Sequence, residues 1–158
     1  MPLQISELLR DARNIALLRL LSDDPRMSVS ALARRIGMSA PAIRERIQRL
    51  EEAGLIKGCH LEIDARALGY PIAAFVRIRP MPGQLGRIAD LAQAMPQVVE
   101  CDRITGEDCF ILKIYLERLD DLDRVLDRFL AHGQTTTSLV QSSPVPRRDL
   151  PLPDEQRG

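Results

Sequence analysis

Residues 28 to 56 constrain the fold of this chain more than any other segment, because their capping, small and apolar residues recur at the spacing of two short crossing helices. Ser28 and Ser39 each stand one residue before a helical pattern, where a hydroxyl can accept a hydrogen bond from an unpaired backbone N–H. Gly37 lies between the two patterns, where the chain must turn. The segment therefore predicts two capped helices joined by a tight glycine turn.

The second of these helices has two faces. Ile43, Ile47 and Leu50 recur at helical spacing and predict its buried stripe, while Gly54 predicts its end. Pro41 falls in the first turn, where a missing backbone N–H is tolerated. The residues left to face outward are Ser39, Ala40, Pro41, Arg44, Glu45, Gln48 and Arg49.

The net charge of the chain is zero, but it is unevenly distributed. Residues 1 to 58 carry 10 Lys and Arg against 7 Asp and Glu, whereas residues 59 to 158 carry 12 against 15. Between Arg26 and Arg49 there are 6 arginines and one acid, Glu45. A positive field concentrated on a helix pair indicates DNA binding, although an arginine face of this kind can also be merely solvated. Because a net charge of +3 is modest, we expect the chain to bind DNA as a dimer or a larger assembly.

Composition bounds the class of protein. A chain of 158 residues with 45% hydrophobic content suits two small folded domains. It has no apolar run of membrane-spanning length and no basic-then-apolar N-terminus, so we expect a cytoplasmic protein without a membrane partner. Cys59, Cys101 and Cys109 form no C-x-x-C pair and are odd in number, so we expect small buried hydrophobic residues rather than disulfides.

The first domain is predicted to span residues 1 to 58. Apolar residues from Ile5 to Leu18 predict one helix that covers the helix pair and ends at residues 23 to 25, so that three helices close a small domain. Residues 55 to 64 predict a short wing and linker strand, with alternation from Cys59 to Ile63. We therefore expect a winged helix-turn-helix domain followed by a linker strand at residues 59 to 70.

The second domain is predicted to span residues 71 to 143. Strands at residues 72 to 79, 98 to 104, 109 to 116 and 135 to 141 alternate with helices at 85 to 95 and 119 to 130, the latter ended by Gly133. This β-α-β-β-α-β order predicts a ferredoxin-like sandwich and an α+β fold class overall. One sheet face lacks a cover, and a second subunit is the simplest one. The Pro-rich residues 144 to 158 predict an extended C-terminal tail.

Both halves resemble the Lrp/AsnC family of prokaryotic transcriptional regulators. The first half carries S-x-x-x-L-A-R-R-I-G-M-S and I-R-E-R-I-Q-R-L-E-E-A-G-L-I-K-G, and the second carries L-G-Y and I-T-G-E-D-C-F. The resemblance runs from about Leu17 to Ser143. It implies DNA binding, an effector domain that pairs into homodimers and often octamers, and a small metabolite, commonly an amino acid, that alters assembly or DNA affinity. It implies neither a cofactor nor catalysis.

The resemblance also places candidate residues. The positions that would meet base edges are Ser39, Ala40, Pro41, Arg44, Glu45 and Gln48. We assign Arg46 and Arg49 to phosphate contacts or to ion pairs between helices. An arginine can bond guanine with two hydrogen bonds and Glu45 can accept from cytosine, but Glu45 can equally pair with Arg49 one turn later.

The family's effector pocket corresponds to the turn after the second strand and to the last strand. The residues at these positions are Thr105, Gly106, Glu107, Asp108, Cys109, Thr135, Thr136, Thr137 and Ser138. Carboxylates can hold an ammonium, and hydroxyls and turn N–H groups can hold a carboxylate, although the turn acids can also be simply solvated. The chain departs from the family where many members carry an aromatic residue and an acid, at Asp108 and Cys109. It departs again at Asn14 and Pro25, where we expect only local changes of geometry.

Two other functions remain open at this point. Sirohaem decarboxylases resemble this family and carry out tetrapyrrole chemistry, and His60 or His132 would be their candidate ligand or acid. However, His132 is expected at a helix end, where capping is the commoner role. We expect no catalytic residues and no metal site, because His, Cys and Asp do not cluster at metal-ligand spacing. A ligand sensor that has lost DNA binding is the third possibility.

Overall fold

The computed structural model describes residues 3 to 153. By their mutual contacts these residues form two compact units, which we call the helical unit and the sheet unit. The helical unit comprises the residues up to Leu61 and those from Val145 onward, and the sheet unit comprises Glu62–Pro144. The C-terminal tail therefore belongs with the N-terminal residues. None of the described helices is long and apolar enough to cross a membrane.

Capping residues set the ends of the helices in the helical unit. The helices are α1 (Leu3–Leu8), α2 (Ala12–Asp23), α3 (Val29–Ile36) and α4 (Ala40–Glu52). The hydroxyls of Ser28 and Ser39 accept hydrogen bonds from the backbone N–H groups of Ala31 and Ala42. Gly37 ends α3 with a φ of 74°, which glycine adopts without steric penalty. The two predicted caps and the glycine turn are confirmed.

The single first helix predicted from Ile5 to Leu18 is wrong, because the chain breaks between α1 and α2. The carboxylate of Asp11 accepts a hydrogen bond of 2.9 Å from the backbone N–H of Arg13. Aspartate is among the best N-capping residues, so a new helix begins at Ala12. Residues 3 to 52 therefore form four helices rather than three.

One apolar cluster holds α2, α3 and α4 together. Leu17, Leu32, Ile43 and Leu50 are fully buried in it, and Ile47 is half-buried. Burying each such side chain contributes roughly 1.5 to 3 kcal/mol to stability. The predicted stripe of α4 is confirmed, with its strongest contacts at its first and last members.

Residues 55 to 70 form no strand in the described chain, so the linker strand predicted there is not observed. Leu55 and Ile56 are half-buried against the apolar cluster of the helices, whereas Leu61 is 88% and Ile63 59% exposed. Alternation gives a segment a strand-like face, but a strand also needs a second backbone to bond with. None of the four described strands lies beside residues 55 to 70.

The sheet unit confirms the predicted β-α-β-β-α-β order. Its elements are β1 (Ile72–Pro80), α5 (Leu85–Ala94), β2 (Val98–Arg103), β3 (Phe110–Leu116), α6 (Asp121–Leu130) and β4 (Gly133–Leu139). The strands lie in the order β2-β3-β1-β4, and every neighbouring pair is antiparallel. This is the ferredoxin-like topology expected from the sequence.

The sheet has one buried and one exposed face. Along β1, Ala74, Val76 and Ile78 are buried against the apolar side chains of α5 and α6. Phe75 and Arg77 face the other way and are exposed, as predicted from the alternation. Phe75 is 39% exposed, which is high for a large apolar residue.

Gly133 does not end α6 as predicted. The helix ends at Leu130, and Gly133 begins β4, which runs to Leu139 rather than from 135 to 141. A Cβ at Gly133 would lie 2.5 Å from the backbone oxygen of Arg79. The glycine is therefore required by the close approach of β4 to β1, not by a helix end.

The cysteines are not the buried hydrophobic residues that we expected. Cys59 and Cys101 are exposed and Cys109 is half-buried. Cys101 lies on β2, an edge strand whose side chains are mostly exposed, and Cys59 lies in the segment that forms no strand. Apolar character alone did not predict which strands would be covered.

Gly133→Ala should destabilise the sheet unit, because the added Cβ would collide with the backbone of β1. We expect a loss of about 1 to 3 kcal/mol, measured by urea denaturation. Gly86→Ala is the matched control, since a Cβ there meets nothing within 4 Å and alanine favours the helix by up to about 1 kcal/mol. Equal unfolding midpoints for the two variants would contradict this role of Gly133.

Candidate nucleic-acid interface and effector site

The exposed side of α4 carries most of the residues predicted to meet DNA. Ala40 and Arg46 are half-buried. The exposed members of the predicted set are Ser39, Pro41, Arg44, Glu45, Gln48 and Arg49. The hydroxyl of Ser39 is engaged in capping α4, so its side chain has a structural role in this state.

Arg44 is the arginine of the predicted set whose guanidinium has no partner among residues 3 to 153. No hydrogen bond or ion pair involves its side chain among residues 3 to 153. An exposed guanidinium carries five N–H donors in a rigid planar arrangement, which fits a guanine edge or a phosphate. Arg44 can therefore bind an acceptor without first breaking a contact within the described chain.

The other charged and polar residues of this face are paired along the helix. Arg49 Nη2 lies 2.5 Å from Glu45 Oε1, and Gln48 Nε2 donates to Glu52 Oε1 over 2.7 Å. Of the two roles considered for Glu45, the structure therefore shows the ion pair with Arg49 one helical turn later. Both partners of the ion pair are more than 60% exposed. Such surface pairs contribute less than about 1 kcal/mol, so an approaching duplex can exchange them at small cost.

Arg46 takes the second of its two expected roles, an ion pair between helices. Its Nη1 lies 2.5 Å from Asp11 Oδ2 and 2.6 Å from Asn14 Oδ1. Asn14 is buried and also donates to the backbone oxygen of Leu8 over 2.9 Å. These bonds tie α4 to the start of α2 and to the end of α1. The sequence had not singled out Asp11 or Asn14 as the residues that receive Arg46.

The environment of Asp11 lowers the pKa of its carboxyl. Partial burial acts to raise this pKa, but the hydrogen bonds from Arg46 and from the backbone of Arg13, together with the charge of Arg46, outweigh it. The folded structure therefore stabilises the ionised form of the Asp11 carboxyl relative to the unfolded chain.

Two exposed arginines outside the predicted set lie on the neighbouring helix α3. Arg34 and Arg35 lie in the last turn of α3, are exposed and have no ion pair among residues 3 to 153. In a helix-turn-helix the first helix crosses the DNA backbone, where cations contact phosphates. Both arginines were visible in the sequence, but they were not named there as candidate contacts.

The predicted effector turn connects β2 to β3. The backbone N–H of Ile104 donates to the carbonyl of Cys109 over 2.9 Å and closes the turn. Gly106 has a φ of 113°, a conformation that favours glycine. Thr105 and Glu107 are exposed, whereas Asp108 and Cys109 are half-buried.

The two acids of this turn face two arginines that the sequence did not indicate. Arg79 pairs with Glu107, and its Nε lies 3.9 Å from Asp108 Oδ1. Arg77 Nε lies 3.9 Å from Asp108 Oδ2. All four side chains are at least 30% exposed. We call these residues, Arg77, Arg79, Glu107 and Asp108, the charge cluster.

Only half of the predicted β4 wall lies on the face of the charge cluster. Thr136 is opposite Arg77 and Ser138 is opposite Phe75, so both share the exposed face of β1. Thr135 and Thr137 are opposite the buried Ile78 and Val76 and therefore point to the other face. Of the four candidate residues on β4, Thr136 and Ser138 therefore share the face of the charge cluster, because neighbouring residues of a strand alternate between faces.

The two histidines lie in different surroundings. The ring Nδ1 of His132 lies 2.9 Å from Gln84 Oε1, so this side chain contacts the residue before α5. His60 is exposed. Within residues 3 to 153, no group of three or more His, Cys, Asp or Glu residues is placed to hold a metal ion.

Comparison with known proteins agrees with both halves. Residues 73 to 150 match the model of the Lrp/AsnC ligand binding domain, and residues 10 to 57 match that of a winged helix-turn-helix DNA-binding domain. The chain is 31% identical over 132 residues to the HTH-type transcriptional regulator LrpC of Bacillus subtilis, covering 84% of this chain and 92% of that protein. The chain belongs to the Lrp/AsnC family.

Other relatives of this Lrp/AsnC chain extend the comparison. The leucine-responsive regulatory protein of Rhizobium meliloti is 37% identical over 131 residues, covering 80% of this chain and 84% of that protein. The solved structure of B. subtilis LrpC has a TM-score of 0.79 and covers 84% of this chain and 95% of its own. A transcriptional regulator from Neisseria meningitidis, solved as an L-Met complex, shares the fold with a TM-score of 0.80 at 23% identity, covering 90% of this chain and 96% of its own. The chain is a DNA-binding transcriptional regulator of the Lrp/AsnC type.

Asp11→Asn should make this Lrp/AsnC regulator less stable at pH 7 but not at pH 2. Asparagine keeps the helix cap and removes the charge that Arg46 neutralises. Because the folded pKa of Asp11 is lowered from 3.8, its contribution is present above that value and is lost as the pH falls through the folded pKa.

The measurement is urea denaturation at several pH values. The control is Asp23→Asn, an exposed acid at the end of the same helix. We expect the control to leave the pH dependence unchanged. A constant gap between Asp11→Asn and the parent from pH 7 to pH 2 would contradict the role of the ion pair.

Proposed function

We propose that this regulator reads duplex DNA with α4 and adjusts its binding to an amino acid held at the charge cluster. In the DNA complex α4 lies in the major groove, and its first turn, residues 39 to 41, approaches the bases together with Glu45. Arg44 and Gln48 contact base edges, and Arg49 contacts phosphates with Arg34 and Arg35. The chromosome is the target, so the protein acts in the cytoplasm.

The observation that carries the DNA part of this proposal is the free guanidinium of Arg44 on the exposed face of α4. Residues 1 to 58 carry a net charge of +3, from 10 Lys and Arg and 7 Asp and Glu. The buried stripe of α4 fixes this face away from the unit's own core. A cationic helix face of this kind attracts the phosphate backbone and presents donors to base edges.

Arg44→Ala should lower affinity for the preferred duplex by about 10- to 100-fold and relax sequence preference, because a paired arginine–guanine contact is worth roughly 1 to 3 kcal/mol. The preferred duplex is first selected from a random-sequence library, and affinities are then measured by fluorescence anisotropy. Arg87→Ala removes an equally exposed arginine from α5 and serves as the control. If both variants bind and discriminate like the parent, Arg44 does not contact the bases.

The effector part of the proposal is supported by the two signs of charge in the charge cluster. Glu107 and Asp108 can hold an ammonium group, while Arg77 and Arg79 can hold a carboxylate, with the hydroxyl of Thr136 on the same face. An α-amino acid carries both groups on one carbon atom, so a single ligand can engage both signs of charge. The name of the R. meliloti relative and the L-Met complex of the structural neighbour make leucine and methionine the first amino acids to test.

Asp108→Ala should abolish any rise in melting temperature that an amino acid produces. The measurement is a thermal-shift screen of the twenty amino acids, since a ligand that binds only the folded state raises its stability with concentration. Asp90→Ala removes an exposed acid of α5 and should keep the full shift. A shift that persists unchanged in Asp108→Ala would place the effector elsewhere.

We further infer that the exposed sheet face packs on a second copy of the chain, and that such homodimers can assemble into octamers. Phe75 lies opposite Lys113 on this face, and Ile111 and Tyr115 lie diagonally on either side of Lys113. These three apolar side chains are each at least partly exposed in the single chain. A dimer also doubles the number of cationic helices available to one duplex, which compensates for the modest charge of each helical unit.

A further inference from the structure

The C-terminal tail is attached to the DNA-binding unit by specific contacts. The hydroxyl of Ser22 bonds to Asp149 Oδ2, and Arg19 Nη2 donates to the carbonyl oxygen of Pro153 over 3.2 Å. Both contacts are to α2, and the tail is grouped with the helical unit although it follows the last strand of the sheet unit. The tail is therefore part of the surface of the DNA-binding unit.

The two contacts give the tail a direction along α2. Asp149 lies at Ser22, and the later Pro153 lies at Arg19, one helical turn earlier, so the tail runs antiparallel to the helix. The residues just before Asp149 consequently extend towards the C-terminal end of α2. That end leads within five residues to Ser28, the cap of α3. In a helix-turn-helix the first helix crosses the DNA backbone, and this corner is where that helix, α3, begins.

Arg147 and Arg148 are the residues that this geometry brings to the corner. Both are exposed, and neither has a hydrogen bond or an ion pair with another residue in the described range. Prolines at positions 144, 146, 151 and 153 restrict the backbone around them to extended conformations. Less conformational entropy is lost when a stiff segment of this kind binds a second surface.

We propose that Arg147 and Arg148 form an arm that binds the phosphodiester backbone of the duplex beside the segment read by α4. The inference rests on the DNA binding described above and adds a contact from outside the helix-turn-helix. Phosphate contacts of arginine fix the position of a protein on DNA and carry no sequence information. The arm therefore contributes affinity for every duplex and leaves the sequence preference to α4.

The competing role for these arginines is neutralisation of the acids at the same corner. Asp23 and Asp24 lie there, and Asp24 accepts a hydrogen bond from the backbone of Arg26. Neither acid forms an ion pair with Arg147 or Arg148 in the described structure. A neutralising role predicts a loss of stability in variants, whereas the arm predicts a loss of DNA affinity.

The test is the double variant Arg147→Ala/Arg148→Ala in the full chain, measured by fluorescence anisotropy against the selected duplex and a scrambled duplex from 0.05 to 0.3 M salt. Loss of two phosphate contacts should flatten the slope of log affinity against log salt by about 1.8 per chain bound, and lower affinity at 0.1 M salt by roughly 10- to 100-fold for both duplexes. Arg66→Ala/Arg87→Ala removes the same charge from exposed positions of the sheet unit and should change neither.

A second variant, Asp149→Ala, keeps both arginines but removes the contact with Ser22. It should lower the affinity for both duplexes, but by less than the double variant does. Binding by the double variant that equals or exceeds the parent's, or a loss matched by the Arg66→Ala/Arg87→Ala control, would overturn the arm. A lowered urea midpoint with unchanged affinity would assign the arginines to the acids instead. If the parent itself binds no selected duplex, both the DNA-binding proposal and the arm proposal fail. If the parent binds DNA and the arm variants bind it equally well, only the arm proposal fails.

Discussion

The helical unit depends on how one side chain, Arg46, fixes the rotation of α4. A stripe of apolar residues buries one side of a helix but lets it roll, whereas the bonds from Arg46 to Asp11 and Asn14 are directional. Residues two apart project about 200° from each other around a helix. Holding Arg46 towards α2 therefore turns Arg44 outward, and the face proposed to read DNA is set by a contact that never touches DNA.

Burial also sets the orientation of the charged side chains in the sheet unit, where successive residues of a strand alternate between the two faces. Burial of Val76 and Ile78 forces Arg77 and Arg79 onto the opposite face, where the acids of the β2 to β3 turn meet them. These ion pairs are exposed, so each is worth little and can be replaced by a zwitterion at small cost. A buried ion pair would resist this exchange, because separating it leaves an unpaired charge in a low dielectric. Exposure of the charge cluster is thus what suits it to a reversible effector.

The parts predicted correctly from the sequence are those governed by neighbours in the chain. The caps at Ser28 and Ser39, the turn at Gly37 and the alternation along β1 each depend on a few consecutive residues. The break at Asp11 was missed because the apolar stripe continues across it. The pairing of Arg79 with Glu107 joins residues 28 positions apart, and only the register of the sheet brings them together. The linker strand failed for the same reason, since its bonding partner is not a property of the segment itself.

The division of charge between the units gives the tail a further meaning. The sheet unit carries 9 basic and 12 acidic residues, so a phosphate backbone repels it, while the helical unit is net positive before the tail is counted. By docking on α2, residues 145 to 153 add two arginines and one acid to the positive side. An arginine pair left near the sheet unit would be offset by its acids. Docked on the helical unit, it strengthens the positive field of the unit proposed to bind DNA, so the proposal makes DNA affinity depend on the contact between Ser22 and Asp149.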